Sequence, residues 1–152
     1  MRLALALGLP REQAALVEVG AHLHDVGKLR IPVELLNLPR KLEDEEREQM
    51  ESHSMLGWEI VNQAGYDQVI LDIVRHHHEH WDGNGYPDRL KENEIPVGAQ
   101  IVGICDVYEA LTSKRSYREA YSHNFARAFI QKGKTMLFEP KLVDLFLATV
   151  KP

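Results

Sequence analysis

Apolar residues recur along this chain at the helical period of about 3.6 and nowhere alternate with a period of two. From Pro10, which suits a first helical turn because it has no N–H to leave unpaired, Ala15, Leu16, Val19, Leu23 and Val26 keep that period. They predict a helix ending near Gly27. Ahead of it, Leu3 to Leu9 reads as the last turns of a helix stopped by Gly8, with its beginning outside the chain. That stretch is too short for a signal peptide, and Pro10-Arg11-Glu12 follows where a small-residue cleavage site would stand. Ile31-Pro32 opens a short helix or turn that stops before Pro39. Glu43-Asp44-Glu45-Glu46 puts carboxylates at the positive end of a helix dipole, and that helix runs through Met50, Gly57, Ile60 and Val61 to Gly65. Val69, Ile70, Ile73 and Val74 mark the next helix, which runs into His76-His77-His78. A loop rich in Gly, Pro and Asp covers Asp82 to Pro96. Pro96 opens a long helix through Ile101, Val102, Cys105 and Leu111, and two more follow at about Ser122–Lys132 and Pro140–Val150. No strand pattern, repeat or low-complexity linker appears. The expectation is all-α: a single compact helical bundle with no sheet, one domain over 1–152.

Composition narrows the function. The chain has 152 residues, with 18 Lys plus Arg against 23 Asp plus Glu, a net charge of −5. That balance argues against a broad nucleic-acid surface, and no DNA partner is expected. Cys105 is the sole cysteine, so neither an intrachain disulfide nor a Cys-based zinc site can form, and a reducing, cytoplasmic setting is the expectation. No apolar run is long enough to span a membrane. Histidine is the unusual residue: of 8 in the chain, all but His123 fall between His22 and His80.

Several polar residues share faces with apolar ones. His53 lies three after Met50 and seven before Ile60, and His77 lies four after Ile73 and seven after Ile70. Asp106 lies four after Val102 and four before Ala110, and His24-Asp25 sits between Leu23 and Val26. A lone inward His is ordinarily a hydrogen-bonded core residue. A buried Asp without a partner is costly, and separate helices each delivering a His or Asp inward call for a cation between them. Imidazole and carboxylate without thiolate suit Fe or Mn, with Zn or Ni as alternatives. A carboxylate can bridge two ions, and two ions can deprotonate a water and stabilise charge on a phosphoryl group. That chemistry is phosphoester hydrolysis.

At these residues the sequence resembles a known family. His24-Asp25-Val26-Gly27-Lys28 is similar to the HD signature of metal-dependent phosphohydrolases. The run from His77-His78-Glu79 through Trp81-Asp82-Gly83-Asn84-Gly85-Tyr86-Pro87 resembles the HD-GYP variant, whose members degrade cyclic di-GMP. Supporting matches are Ile31-Pro32, Leu42, His53 before Gly57, Ile95-Pro96, and Asp106 with Ala110-Leu111-Thr112-Ser113, so the likeness runs from about Leu7 to Phe146. It implies an HD-type bundle binding two divalent ions through His24, Asp25, His53, His77, His78 and Asp106, with Asp25 bridging. It further implies Lys28 beside the reacting phosphate, Tyr86 packed on a guanine, and Arg115 and Arg118 on phosphate. His22, His76 and His80 match no ligand position, and Glu79 and Asp82 are expected to fix the loop. The implied reaction opens cyclic di-GMP to linear pGpG and on to GMP. Two alternatives stand beside it: a signalling module that binds the nucleotide or a diguanylate cyclase through Gly85-Tyr86-Pro87, and an HD phosphohydrolase acting on another nucleotide. The chain departs from the pattern at Ser116, where the family has Pro. It also lacks an earlier helix that carries a further ligand in the family, so a domain missing the start of its first helix is expected, and a receiver or sensor domain upstream is compatible with the sequence.

Overall fold

The computed structural model describes residues 1–114 and 119–150. Its helices, in chain order, are α1 (Arg2–Ala6), α2 (Arg11–Leu23), α3 (Val33–Leu36), α4 (Asp44–Glu51), α5 (His53–Gln63), α6 (Gln68–His76), α7 (Val97–Thr112), α8 (His123–Lys132) and α9 (Pro140–Thr149). Two 3-10 segments, Val26–Arg30 and Glu92–Glu94, lie between them. Among the described residues there is no sheet; the sole β-type contact is an isolated bridge between Lys134 and Phe138.

The starts of these helices follow local chemistry. Asp67 accepts the Val69 N–H at 2.8 Å to open α6, and Ser122 accepts the Phe125 N–H at 3.2 Å to open α8; each satisfies a donor the helix itself leaves orphaned. Gly8, at φ +91°, follows α1 in the left-handed conformation expected of it.

Two expectations need correction. The helix from Pro10 ends at Leu23, not near Gly27, and the chain tightens at once into the 3-10 turn Val26–Arg30. The cause is a backbone contact. A Cβ built on Gly27 would lie 1.9 Å from the His53 carbonyl oxygen and 2.5 Å from the Gly57 nitrogen, so this turn lies directly on α5. The helix expected from Glu43 to Gly65 is interrupted at Ser52 and becomes α4 and α5. There Ser52 Oγ donates to the Gln49 carbonyl at 2.6 Å, the kind of side-chain back-bond that competes with the helical ladder and bends it.

Helix α6 occupies the centre, packed against α2, α5 and α7. Ile73 and Val74 are completely buried there. The larger core cluster joins α2, α6, α7, α8 and α9 through Val17, Ile73, Ile104, Ile130, Val143 and Phe146. A smaller one, from Val61, Ile70, Leu71 and Val74, seals α5 onto α6. Because α6 is fixed on three sides, the two histidines that follow it are held in place. Among the described residues no helix is long and apolar enough to cross a membrane.

Candidate metal centre

The histidines of the site stand where helices end. His24 caps α2, His53 follows the last turn of α4, and His77 caps α6. In each case Nδ1 pairs with the carbonyl three residues earlier: His24 with Ala21 at 2.7 Å, His53 with Met50 at 2.8 Å, and His77 with Val74 at 3.0 Å. Those carbonyls belong to final helical turns, where they keep accepting capacity for a side-chain donor. A carbonyl only accepts, so each Nδ1 carries the proton and each Nε2 presents a lone pair inward.

The lone pairs converge. His53 Nε2 lies 3.4 Å from His77 Nε2, and two acceptors that close cannot satisfy one another. Asp25, His53, His77 and His78 each offer a ligand atom, all within 4.8 Å of one another. Asp25 faces two ways: Oδ1 is 3.4 Å from His53 Nε2 and Oδ2 is 3.5 Å from His24 Nε2. On the far side of His24, Asp106 Oδ1 lies 3.7 Å from the same Nε2. That nitrogen is buried and has no hydrogen-bond partner among the described residues. Helix C-termini carry the negative end of the dipole, so the ends of α2 and α6 at His24 and His77 favour a cation here.

Titration behaviour agrees with the geometry. Burial, followed by the neighbouring rings, pushes His77 and His78 far below the ordinary imidazole range, and burial lowers His53, so these rings are neutral and could hold a cation. For His24, burial opposes the charged form, but the Asp106 and Asp25 carboxylates outweigh it and raise the pKa. Burial works against ionisation of Asp106 too, yet His24 holds its carboxyl at about 2. Positive charge is favoured between the two carboxylates. An unpartnered buried Nε2, facing lone pairs and a two-sided carboxylate fit a divalent metal site.

The remaining expected residues surround this cluster. Lys28 Nζ pairs with Asp25 Oδ2 at 2.6 Å. Tyr86 stacks on His78 with ring centroids 4.8 Å apart and planes at 28°. Arg115 and Arg118 lie outside the described residues. His22 is exposed, and His76 pairs with Asp88 at 2.8 Å rather than with the cluster. Asp82 fixes the loop, accepting from the Asn84 N–H at 3.0 Å. The sequence reading missed the Gly27–α5 contact that positions Asp25, whose visible signal was a glycine two residues after Asp25. It also missed Phe129, which lines the cleft beside Asp25 and Lys28 and whose spacing marks it only as apolar.

Glu79 does what was expected of it. It is buried, with 7% of its surface exposed, and its two oxygens take the Asp88 N–H at 2.7 Å and the Leu90 N–H at 3.1 Å. It therefore ties the far end of the Tyr86 loop to the segment that carries His77 and His78. Glu79→Gln turns one acceptor into a donor facing an amide N–H. The expected loss is about 1–3 kcal/mol in urea unfolding, with faster hydrogen exchange at Asp88 and Leu90 and metal content near wild type.

The fold and the cluster define a metal-binding helical domain of the HD type. The HD domain family matches residues 1–142, and the chain belongs to that family. Among similar proteins, the 3'3'-cGAMP-specific phosphodiesterase 2 of Vibrio cholerae is 41% identical over 148 residues, covering 96% of this chain and 28% of the relative. The cyclic di-GMP phosphodiesterase response regulator RpfG of Xanthomonas campestris is 41% identical over 143 residues, 93% of this chain and 38% of the relative. A cyclic di-GMP phosphodiesterase of Thermotoga maritima is 35% identical over 152 residues, 99% of this chain and 41% of the relative. The chain thus spans well under half the length of these relatives. An HDG"Y"P protein from Bdellovibrio bacteriovorus shares the fold with a TM-score of 0.76 at 22% identity, over 96% of this chain and 47% of that one. A cyclic GMP-AMP-specific phosphodiesterase of Vibrio cholerae shares it with a TM-score of 0.70 at 18% identity, over 94% of this chain and 39% of that one.

Proposed function

We propose that the chain is the catalytic part of a phosphodiesterase that opens cyclic di-GMP to linear pGpG and carries it on to GMP. The observation that carries this reading is Asp25, whose two oxygens face different histidines beside a lysine. Relatives named for cyclic di-GMP or cGAMP hydrolysis support it. In this reading His24, Asp25 and Asp106 on one side, and Asp25, His53, His77 and His78 on the other, would hold two divalent ions, Fe or Mn. When bound, such ions lower the pKa of water and stabilise charge on phosphoryl oxygens.

The chain's own groups do the rest. Asp25 spans both ligand sets and fixes their separation. Lys28, with 41% of its side chain exposed, is held at Asp25 Oδ2 and needs only to turn about its flexible stem to reach a phosphate oxygen at the cleft mouth. There it stabilises developing negative charge and can give a proton to the departing ribose oxygen. Burial, then the Glu51 and Asp25 carboxylates, raises the Tyr86 phenol, so it stays a neutral ring suited to stacking on a base.

Base stacking on an aromatic ring contributes about 1–3 kcal/mol. Tyr86→Ala is therefore expected to weaken cyclic di-GMP binding about ten- to a hundredfold, while Tyr86→Trp restores it and metal content holds. Titration calorimetry on the metal-loaded chain checks this. Equal affinity in Tyr86→Ala would reduce the ring to loop packing. Failure of the wild-type chain, loaded with Fe or Mn, to release pGpG or GMP would remove the proposed activity itself.

A further inference from the structure

The reading above gives the substrate one aromatic contact, yet a cyclic dinucleotide carries two bases on opposite sides of its phosphodiester ring. The metal cluster is flanked by two clefts. One, of about 600 Å³, is lined by Tyr86 together with Glu51, Met55, Asn84 and Arg89. The other, of about 380 Å³, is lined by His24, Asp25, Lys28, His78, Asp106 and Phe129. His78 belongs to both surroundings, since it lines the second cleft and stacks on Tyr86.

Phe129 has no role in the core. Helix α8 buries Ala126 and Ile130 completely, one turn apart on the inward face. Phe125 and Phe129, also one turn apart, remain 46% and 40% exposed. Phe125 stacks on Tyr121 with centroids 4.3 Å apart and planes at 27°. Large rings left in water on a helix whose other face is fully packed are costly unless something covers them. Phe129 lies in the wall of the same cleft that holds Asp25, Lys28 and Asp106.

We infer that Phe129 is the stacking platform for the second base of a cyclic dinucleotide, the counterpart of Tyr86 across the metal cluster. This rests on the cyclic-dinucleotide reading above. A scissile phosphate at Asp25 and Lys28 leaves one base on each side, and each side offers an aromatic ring. Rings without a matching hydrogen-bond pattern tolerate either purine. Phe129 therefore supplies affinity at this position without selecting guanine over adenine.

The test measures binding of cyclic di-GMP, cyclic GMP-AMP and inorganic phosphate to the metal-loaded full chain by titration calorimetry. Phe129→Ala is expected to weaken both cyclic dinucleotides about ten- to a hundredfold, leave phosphate binding unchanged, and keep wild-type metal content and melting temperature. Phe129→Trp is expected to restore binding to within about threefold of wild type, and Phe129→Ala combined with Tyr86→Ala to show the product of the two single losses. Unchanged dinucleotide affinity in Phe129→Ala overturns the inference and leaves the rings as a protein-docking face, while the phosphodiesterase reading stands. Loss of metal or of phosphate binding in that variant overturns it in favour of a structural role. A wild-type chain that binds phosphate but neither dinucleotide overturns the substrate reading as well, and is told apart by that first measurement.

Discussion

Asp25→Ala is expected to lose most of its bound metal and to lower cyclic di-GMP turnover at least a hundredfold. Residues that merely orient a metal ligand cost about 10–100-fold when removed, and Asp25 faces both halves of the cluster directly, at 3.4 Å from His53 and 3.5 Å from His24. Its loss also frees Lys28, whose ammonium then stands unpaired among the histidines and repels a cation. Elemental analysis after reconstitution, with turnover measured on the same sample, checks both effects. The contrast with His53→Ala is informative, because His53 faces only one side of Asp25 and should cost less metal. Equal losses in the two variants would show that Asp25 serves a single ion.

Gly27→Ala is expected to be the most damaging one-carbon change in the chain. The added methyl would meet the His53 carbonyl carbon at 2.8 Å as well as its oxygen at 1.9 Å, and backbone atoms have no rotamer in which to move aside. Overpacking costs about 1–3 kcal/mol and occasionally more; the upper end applies here. Relief is possible only if the Val26–Arg30 turn lifts away from α5, carrying Asp25 and Lys28 with it. Metal affinity should therefore fall together with stability. Gly57→Ala is the control. Its methyl meets Val74 Cγ1 at 2.9 Å and the Gly27 nitrogen at 3.1 Å, so it presses the same contact from the other side far less hard, and its loss should be clearly smaller. Urea unfolding of metal-free protein gives the stability ranking, and metal titration gives the affinity ranking. A reversed order would sink the argument.

The sequence pattern carried most of the helices because a 3.6-residue period and capping residues are local properties. It also carried the inward His and Asp residues, since a polar group on an apolar face stands out wherever helices pack. What it did not carry were contacts outside the apolar period. The end of α2 at Leu23 depends on Gly27 lying on α5, the interruption at Ser52 goes with that side chain's bond to the Gln49 carbonyl, and neither contact leaves a periodic trace. The expectation of one helix from Glu43 to Gly65 failed for that reason. The two-sided use of Asp25 was legible only as chemistry, from the resemblance and from what carboxylates can do. Phe129 was simply one more apolar position. The roles expected of Arg115 and Arg118 lie outside the described residues.

The pairing of His24, His53 and His77 with main-chain carbonyls bears on how this domain can drift. A ring held by a neighbouring carboxylate or amide side chain can be unlatched by one codon change. A ring held by Ala21, Met50 or Val74 through its peptide oxygen cannot, because every amino acid brings the same carbonyl. Substitutions at those three positions reach the ligands only by changing helix packing. Sequence can therefore diverge around the imidazoles while their protonation and aim persist. The vulnerable points move to the places where main chains touch, the Gly27–His53 contact foremost, and there selection has almost no alternative residue to accept.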